Sequence, residues 1–275
     1  MTTALIDRPA APAAEWFESW FDSPYYRKLY AYRDDAEARR FIDALVGRLS
    51  LHPGDDVLDL GCGAGRHARQ LASHGLHVTG LDLAASSIQE ARRFESTDLH
   101  FRRHDMRVPF GAEVFDDVFS FFTSFGYFAD PFEHLVVVSN MAEALRPSGL
   151  LVLDYLNVEL AERRLTPAET KVIDGVTYRL TRWADAHAFH KRIVVDDPAN
   201  RAPLEFVERV AKLRRADFEA MFACYGLVIE QVFGDYQLND FDPKSSPRLI
   251  LAARKAESAA LFPLESPAHA TECLR

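Results

Sequence analysis

The stretch from Asp55 to Asp82 constrains the fold of this chain more than any other. It reads as a buried strand, a loop with three glycines, an amphipathic helix and a second strand that ends on Asp82. This order predicts one right-handed βαβ unit of a parallel sheet. Gly61, Gly63 and Gly65 permit a sharp turn and a close approach of a ligand to the backbone. The free N–H groups at the start of the following helix favour bound polar or anionic groups.

Two acidic residues distinguish this unit from the GxGxxG loop of dinucleotide-binding dehydrogenases. Asp59 stands two positions before Gly61, which gives the pattern DxGxGxG. Asp82 ends the second strand, where a carboxylate can accept hydrogen bonds from ribose hydroxyls. A purely structural glycine turn is the alternative, but it explains neither acid.

The segment DLGCGAG, from Asp59 to Gly65, resembles motif I of the class I S-adenosylmethionine-dependent methyltransferases. The resemblance implies an α/β fold with a Rossmann-like seven-stranded sheet, mostly parallel with an antiparallel last strand, and S-adenosyl-L-methionine as cofactor. It also implies that the glycine loop approaches the methionine part of the cofactor and that the acid ending strand 2 binds the ribose. The cofactor-binding residues expected in this unit are Asp59, Gly61, Cys62, Gly63, Gly65, Asp82 and Leu83.

An unusually aromatic segment, from Glu15 to Tyr32, precedes the first strand. So many rings need a burial partner, so they either cap the core or form a lid over the cofactor, where aromatic faces stabilise a sulfonium. Both interpretations stay open for the tryptophans. Tyr26, Tyr30 and Arg33 form the pattern YxxxYxxR, which resembles the N-terminal cofactor clamp of glycine N-methyltransferases and amino-sugar N,N-dimethyltransferases. In those enzymes a tyrosine and an arginine hold the methionyl carboxylate.

A short strand predicted from Leu99 to His104 ends on Asp105 and Met106. In the superfamily that the glycine motif resembles, this position meets the adenine ring. The acid there accepts a hydrogen bond from the exocyclic amine, and the next backbone N–H faces a ring nitrogen. A loop acid that caps a turn is the alternative for Asp105.

The loop after the predicted fourth strand lies where a methyl acceptor must bind, because ligands of open parallel sheets bind beyond the carboxyl ends of the strands. Its sequence TSFGYF resembles the NSFAHL-like segment of glycine N-methyltransferases, with Thr123 in place of Asn and Tyr127 in place of His. Leu156 stands where those enzymes carry an arginine for the substrate carboxylate, which argues against glycine as substrate. The predicted acceptor contacts are Thr123, Ser124, Phe125, Tyr127, Tyr155 and Asn157. Tyr127 and Asp154 are the candidates for assisting proton removal from an amine.

Residues 159–213 predict an antiparallel sheet inserted between strand 5 and the next helix. Three or four segments alternate or are β-branched, with a hairpin turn at Asp174 and Gly175. In the amino-sugar enzymes such a sheet covers the pocket and builds a dimer, so the resemblance implies a specificity-setting cover and a homodimer. His187 and His190 have no third ligand candidate, so we predict no metal.

The predicted organisation has five parts. They are a disordered lead (1–14), an N-terminal helical lid (15–50), a cofactor-binding core in two segments (51–158 and 214–255), the inserted sheet (159–213) and a mobile tail (256–275). The long excursion at 234–247 is expected to overhang the pocket.

Charge and composition bear on partners and location. The net charge of -9 argues against a polyanion as the main partner. The three cysteines form no CxxC pair, which suits a reducing cytoplasm, and no apolar run reaches the ~18 residues that span a bilayer. Together with the resemblance to methyltransferases, these features lead us to expect a cytoplasmic enzyme that methylates nitrogen or oxygen of a small molecule. The alternatives are a methyltransferase acting on tRNA or protein, a catalytically silent binding subunit, and a nicotinamide-dependent oxidoreductase.

Overall fold

The computed structural model describes residues 15–257. The helices are α1 (Trp16–Phe21), α2 (Pro24–Leu29), α3 (Asp35–Leu49), α4 (Arg66–Ser73), α5 (Ala85–Ala91), α6 (Pro131–Ala144), α7 (Val158–Arg163) and α8 (Arg215–Ala223). The strands are β1 (Asp56–Leu60), β2 (His77–Asp82), β3 (Leu99–Arg103), β4 (Phe115–Ser120), β5 (Leu145–Leu156), β6 (Ala168–Ile173), β7 (Val176–Ala184), β8 (Ala188–Asp196), β9 (Leu204–Ala211), β10 (Leu227–Phe233) and β11 (Arg248–Lys255). The predicted lead and all but two residues of the predicted tail lie outside this range. None of the helices in 15–257 is long and apolar enough to cross a membrane.

Seven strands form one twisted sheet in the order β10-β11-β5-β4-β1-β2-β3. Strands β5, β4, β1, β2 and β3 pair in parallel, whereas β11 pairs antiparallel with both of its neighbours. The predicted sheet, with its antiparallel strand at the end of the chain, is confirmed. Buried apolar side chains cover both faces of the central strands, as expected when helices pack on both sides of a parallel sheet.

Strand β5 begins five residues earlier than the predicted start at Leu150. Leu145 already pairs with Phe115 of β4, and an irregularity in register follows before Leu150 pairs with Asp117. Ser148 takes a left-handed φ of 62° within this irregular stretch. Strand β5 therefore continues through turn-forming residues such as Ser148 by means of a local bulge.

The inserted sheet has four antiparallel strands in the order β6-β7-β8-β9, as predicted. Asp174 and Gly175 connect β6 to β7 with φ of 48° and 77°, the pair of positive values that a tight two-residue hairpin turn requires. The inner face of the sheet packs against the lid through a separate apolar cluster, whose buried members are Trp20, Leu29, Val176, Tyr178, Leu180, Ile193 and Val195.

The lid, formed by α1 and α2, lies between this inserted sheet and the seven-stranded sheet. Trp20 is fully buried. Its ring lies 4.7 Å from that of Phe206 on β9, and its indole N–H donates to Glu208 Oε1 at 2.6 Å. Trp16 instead contacts the ring of Tyr127 at 5.4 Å. The two tryptophans therefore face different partners, one in the inserted sheet and one beside the loop after β4.

Candidate active site

A cavity of about 380 Å³ lies at the carboxyl ends of β1, β2, β3 and β4, under the lid. Its wall combines the glycine loop after β1, the residues that follow β2 and β3, the loop after β4, and α2 with the segment after it. This edge of the sheet is where open parallel sheets bind their ligands. It is therefore the candidate active site.

Most of the predicted cofactor-binding residues line this cavity: Tyr26, Tyr30, Arg33, Gly61, Cys62, Gly63, Asp82, Leu83, Asp105 and Met106. Of the predicted acceptor contacts, Ser124 and Tyr127 line it. The lining does not include Asp59, Gly65, Thr123, Phe125, Asp154, Tyr155 or Asn157, nor any residue of the excursion 234–247. The expected overhang of that excursion is wrong: its residues do not line the cavity, and its Tyr236 packs against Phe41 of α3 with 4.5 Å between the ring centres.

The three glycines of the loop after β1 all have left-handed backbone, with φ of 80°, 55° and 80°. A Cβ on Gly61 would lie 2.4 Å from Cβ of Ser124, and one on Gly65 would lie 2.5 Å from the ring of Phe101. A Cβ on Gly63 would meet no atom within 4 Å. Gly61 and Gly65 are thus required for packing, whereas Gly63 leaves the backbone open toward the cavity.

Asp82 ties the glycine loop to the start of α5. Its Oδ2 accepts a hydrogen bond from the N–H of Gly63, and its Oδ1 accepts one from the N–H of Ala84, both at 2.8 Å. Burial raises the pKa of this carboxyl, and the two backbone donors oppose that shift. A carboxylate oxygen can accept more than one hydrogen bond, so Asp82 can also receive hydroxyl donors from a ligand in the cavity.

Asp59 lies behind the loop, almost fully buried in β1. Its Oδ2 has no hydrogen-bond partner. Burial, together with the charge of Asp82, raises the pKa of Asp59 to about 7. An ionised Asp59 therefore destabilises the ligand-free fold.

Replacing Asp59 by asparagine should stabilise the ligand-free protein increasingly as pH rises. The native state holds the Asp59 proton up to about pH 7, while the unfolded chain releases it near its ordinary value of 3.8, so wild-type stability falls across this interval. The stability difference between Asp59→Asn and wild type should grow by about 3 kcal/mol from pH 5 to pH 8. Urea unfolding at both pH values measures it. A difference that does not change with pH would contradict the shift.

Two guanidinium groups face one carboxylate at the end of the cavity next to α3. Arg33 and Arg66 both pair with Glu37, at 2.7 and 3.2 Å. Their guanidinium carbons lie 4.7 and 5.2 Å from the ring centre of Phe122. The local charge is positive, which suits an anionic group. Arg66 was missed from sequence, although its position directly after the third glycine, at the start of α4, could have indicated it.

Tyr30 connects the cavity to the inserted sheet. Its hydroxyl donates to Glu208 Oε1 at 3.1 Å and accepts from the ammonium of Lys191. Lys191 and Glu208 are directly opposite each other on β8 and β9 and form an ion pair. Their side chains are only 15% and 12% exposed. Sequence reasoning missed this pair, although its two opposite charges lie at strand positions that alternate with outward-facing residues, which was a usable signal.

Asp105 is engaged by its neighbour Arg107. Both carboxylate oxygens accept from this guanidinium, at 2.7 to 3.2 Å. Burial alone would raise the pKa of Asp105, but the hydrogen bonds from Arg107 outweigh it and leave the pKa below its ordinary value. The carboxylate stays ionised and faces the cavity as an acceptor.

Tyr127 lies at the side of the cavity that faces the lid. Its hydroxyl donates to the carbonyl oxygen of Thr123, and its ring contacts that of Phe21 at 4.9 Å. Burial raises the pKa of this phenol well above its ordinary value of 10. Tyr127 therefore keeps its proton at neutral pH and is not suited to act as a base.

The other predicted acceptor residues are held by contacts within the protein, and the structure corrects their placement. Tyr155 is buried and donates to the carbonyl of Ala211 on β9, and Asn157 donates to backbone carbonyls of the excursion after β10. Phe125 packs against the ring of His134. Asp154 accepts hydrogen bonds from Arg248, from Tyr236 and from the N–H of Phe122. The hydroxyl of Thr123 accepts one from Arg248. The predicted ends of the strands located the site correctly. They did not show which of the side chains there point into the core and which point into the cavity.

The family model of a methyltransferase domain matches residues 57–149. This segment contains all but the first residue of β1, the glycine loop, Asp82, Asp105 and the whole loop after β4. The chain carries a methyltransferase domain. The resemblance of DLGCGAG to motif I of the S-adenosylmethionine-dependent enzymes is thereby confirmed.

Curated relatives of this methyltransferase domain include an O-methyltransferase and an N,N-dimethyltransferase. A malonyl-[acyl-carrier protein] O-methyltransferase from Enterobacter lignolyticus is 34% identical over 118 residues, which are 43% of this chain and 45% of that protein. A dTDP-3-amino-3,4,6-trideoxy-alpha-D-glucopyranose N,N-dimethyltransferase from Streptomyces venezuelae is 27% identical over 206 residues, which are 72% and 85% of the two chains. The chain thus spans less than half the length of the first relative and most of the second.

Solved structures share the fold outside the matched domain as well. The amino pentose methyltransferase CalS10 from Micromonospora echinaspora, solved with S-adenosylmethionine bound, has a TM-score of 0.63 and 24% sequence identity. The similarity covers 85% of this chain and 98% of that one. The seven-stranded sheet with an additional antiparallel sheet is therefore a methyltransferase fold.

The residues of the cavity fit S-adenosylmethionine, the cofactor of this family. The positive end at Arg33 and Arg66 suits its carboxylate, and Asp82 has acceptor capacity for ribose hydroxyls. Asp105 offers an ionised acceptor at the end of β3 for an exocyclic amine. When bound, this cofactor supplies a methyl group already activated by a sulfonium charge.

Proposed function

We propose that this protein transfers the methyl group of S-adenosylmethionine to nitrogen or oxygen of a small-molecule acceptor. The enclosure of the cavity by aromatic rings carries the proposal. Phe21 of the lid contacts both Tyr26 and Tyr127, each with 4.9 Å between ring centres. Trp16 closes the same side against Tyr127. A site covered in this way suits a small molecule better than a nucleic acid or a folded protein.

The chain's own residues would act by positioning the acceptor and excluding water, which supply much of the rate when the methyl group is already activated. The lining residues of α1 and of the loop that carries Tyr127 are aromatic or uncharged. The charged lining residues belong to other segments: α2 and the segment after it, the start of α3, α4 and the ends of β2 and β3. A hydroxyl oxygen is a weak nucleophile until a base removes its proton, whereas the lone pair of a neutral amine is nucleophilic without prior deprotonation. This favours nitrogen over oxygen.

Charge and similarity support the same acceptor class. The net charge of -9 opposes binding of nucleic acid. The name of the Streptomyces relative specifies an amino sugar that receives two methyl groups. We take an amine on a small polar molecule as the acceptor class to be tested first.

Two measurements on the purified protein test the proposal. Calorimetric titration with S-adenosylhomocysteine should show binding at one site per chain. A screen of small amines, each beside the alcohol of the same skeleton, should release S-adenosylhomocysteine with amines and not with the alcohols. Absence of cofactor binding would refute a methyltransferase. Binding of the cofactor with turnover only on tRNA or protein would refute the small-molecule acceptor, and binding with no turnover would indicate a silent subunit.

We also propose a homodimer through the outer face of the inserted sheet. Val172, Trp183 and Val207 are 69%, 41% and 36% exposed, and the strand registers place them on one face. Exposed apolar groups concentrated on one face mark association surfaces. Trp183→Glu should halve the mass measured by sedimentation equilibrium. Val228→Glu, at an exposed apolar position on β10, should leave it unchanged. A monomeric wild type would refute the dimer.

A further inference from the structure

A buried ionic network lies beneath the loop that follows β4. Arg248, the first residue of β11, donates from Nε to Asp154 Oδ1 at 2.7 Å. The two side chains are 14% and 0% exposed. Tyr236, from the excursion after β10, donates its hydroxyl proton to Asp154 Oδ2 at 3.0 Å. None of these three residues lines the cavity.

Three further hydrogen bonds join this network to Phe122 and Thr123. The N–H of Phe122 donates to Asp154 Oδ2 at 2.7 Å, and that of Thr123 donates to the backbone carbonyl of Asp154 at 3.0 Å. Arg248 Nη2 donates to the hydroxyl of Thr123 at 2.8 Å. The network therefore holds both the backbone and a side chain of this dipeptide.

Phe122 and Thr123 have left-handed backbone, with φ of 57° and 60°. Aromatic and β-branched residues rarely adopt this conformation, and it persists only where surrounding contacts enforce it. Two such residues in succession would relax if their partners were removed. The contacts with Asp154 and Arg248 restrain them, together with the hydrogen bond that the carbonyl of Thr123 accepts from Tyr127.

The conformation brings the ring of Phe122 into the wall of the cavity. There its face lies within 4.7 and 5.2 Å of the guanidinium carbons of Arg33 and Arg66. Attraction between these cations and the ring links the position of the ring to that of both arginines. A shift of Phe122 would therefore displace the positive end of the cavity.

A role in stability alone explains this arrangement less well. A buried ion pair contributes little net stability compared with apolar side chains of similar size, because both charges lose their hydration. Strained backbone also lowers stability and is concentrated at ligand sites. Here the buried pair of Asp154 and Arg248 contacts two strained residues, one of which lines the cavity. This combination is the one expected at a ligand site.

We propose that Asp154, Arg248 and Tyr236 are positioning residues for the cofactor. They act through Phe122 and Thr123 to hold the ring of Phe122 against the two arginines that would receive the cofactor carboxylate. The inference rests on the proposed function, because it requires S-adenosylmethionine in the cavity. It assigns to Asp154 a role at the cofactor end, in place of the predicted role with the acceptor proton.

Calorimetry with S-adenosylhomocysteine and thermal unfolding of the same samples test the inference. Arg248→Gln should weaken binding by about 30-fold and Tyr236→Phe by about 5-fold. Arg254→Gln is the matched control, since Arg254 lies on the same strand, is more exposed and pairs with Glu230. It should bind within about twofold of wild type. If Arg248→Gln does not fold, Tyr236→Phe decides, because it removes one hydroxyl and leaves no buried charge unpaired.

A conservative pair at Thr123 separates positioning from general packing. Thr123→Ser keeps the hydroxyl to which Arg248 donates. Thr123→Val keeps the shape of the side chain and removes that hydroxyl. We expect Ser to retain affinity within about threefold and Val to lose about 10-fold. Variants that unfold at lower temperature yet bind S-adenosylhomocysteine as tightly as wild type would overturn the inference. Failure of wild type to bind it would refute the proposed function, on which the inference rests.

Discussion

Replacing Gly61 by alanine should weaken binding of S-adenosylhomocysteine by at least about 100-fold. The new Cβ would lie 2.4 Å from Cβ of Ser124, and the residue has a left-handed φ of 80°. The glycine loop and the loop after β4 could then not keep their present contact. Both loops line the cavity, so their separation changes two of its walls at once. Calorimetry measures the affinity, and circular dichroism checks that the fold persists.

Two further glycines provide comparisons for this prediction, and Gly47 is the control. Gly47 in α3 has ordinary backbone and no atom within 4 Å of a built Cβ. Gly47→Ala should leave affinity unchanged and raise the free energy of unfolding by about 0.5–1 kcal/mol. Gly63→Ala tests the opposite case. It should fold, because its Cβ would meet no protein atom within 4 Å, but it should bind poorly, because Gly63 lines the cavity and the added methyl group would obstruct the approach of the ligand to the backbone. Wild-type affinity in Gly61→Ala would show that close contact of the two loops is not needed for binding.

Asp82→Asn should weaken S-adenosylhomocysteine binding by about 30-fold. The carboxylate accepts from the N–H groups of Gly63 and Ala84 with its two different oxygens. An asparagine amide has one oxygen, so its NH₂ group would face one of these donors. The loop would lose one anchor, and a ribose would lose a charged acceptor. Calorimetry at pH 8 measures the change.

Asp98→Asn provides the comparison for Asp82. Asp98 is an exposed acid whose Oδ1 lies 3.7 Å from Nε2 of His77. Its substitution also removes one negative charge but should leave affinity within about twofold. Equal losses in both variants would indicate a general charge effect and contradict a specific role for Asp82.

The βαβ unit could be predicted from sequence because its determinants are local. The strand before Gly61, the helix after Gly65 and the strand ending on Asp82 follow from periodicity and glycine placement within 28 residues of sequence. The same holds for the hairpin at Asp174 and Gly175, where two adjacent residues fix the turn. Local patterns of this kind do not depend on the rest of the fold.

The contacts that complete the site could not be predicted, because they join residues far apart in sequence. Glu208 reaches Tyr30 across 178 positions, and Arg248 reaches Thr123 across 125. Neither spacing carries a periodic signal. Tyr155 illustrates the opposite error, since its position at the end of β5 is near the cavity but its hydroxyl turns to Ala211 in the inserted sheet. Side-chain direction depends on packing that only the tertiary structure shows.

The attachment of the inserted sheet has a consequence for how such proteins diversify. The N–H of Ala211 on β9 donates to the carbonyl of Gly126 at 2.8 Å, and its carbonyl accepts from Tyr155. On the side of β9 these bonds use backbone groups, which every residue except proline provides. These two bonds persist when the side chain at position 211 changes, because they use only its backbone groups. This position of the inserted sheet can therefore vary in sequence without losing the anchor to Gly126, the residue next to Tyr127.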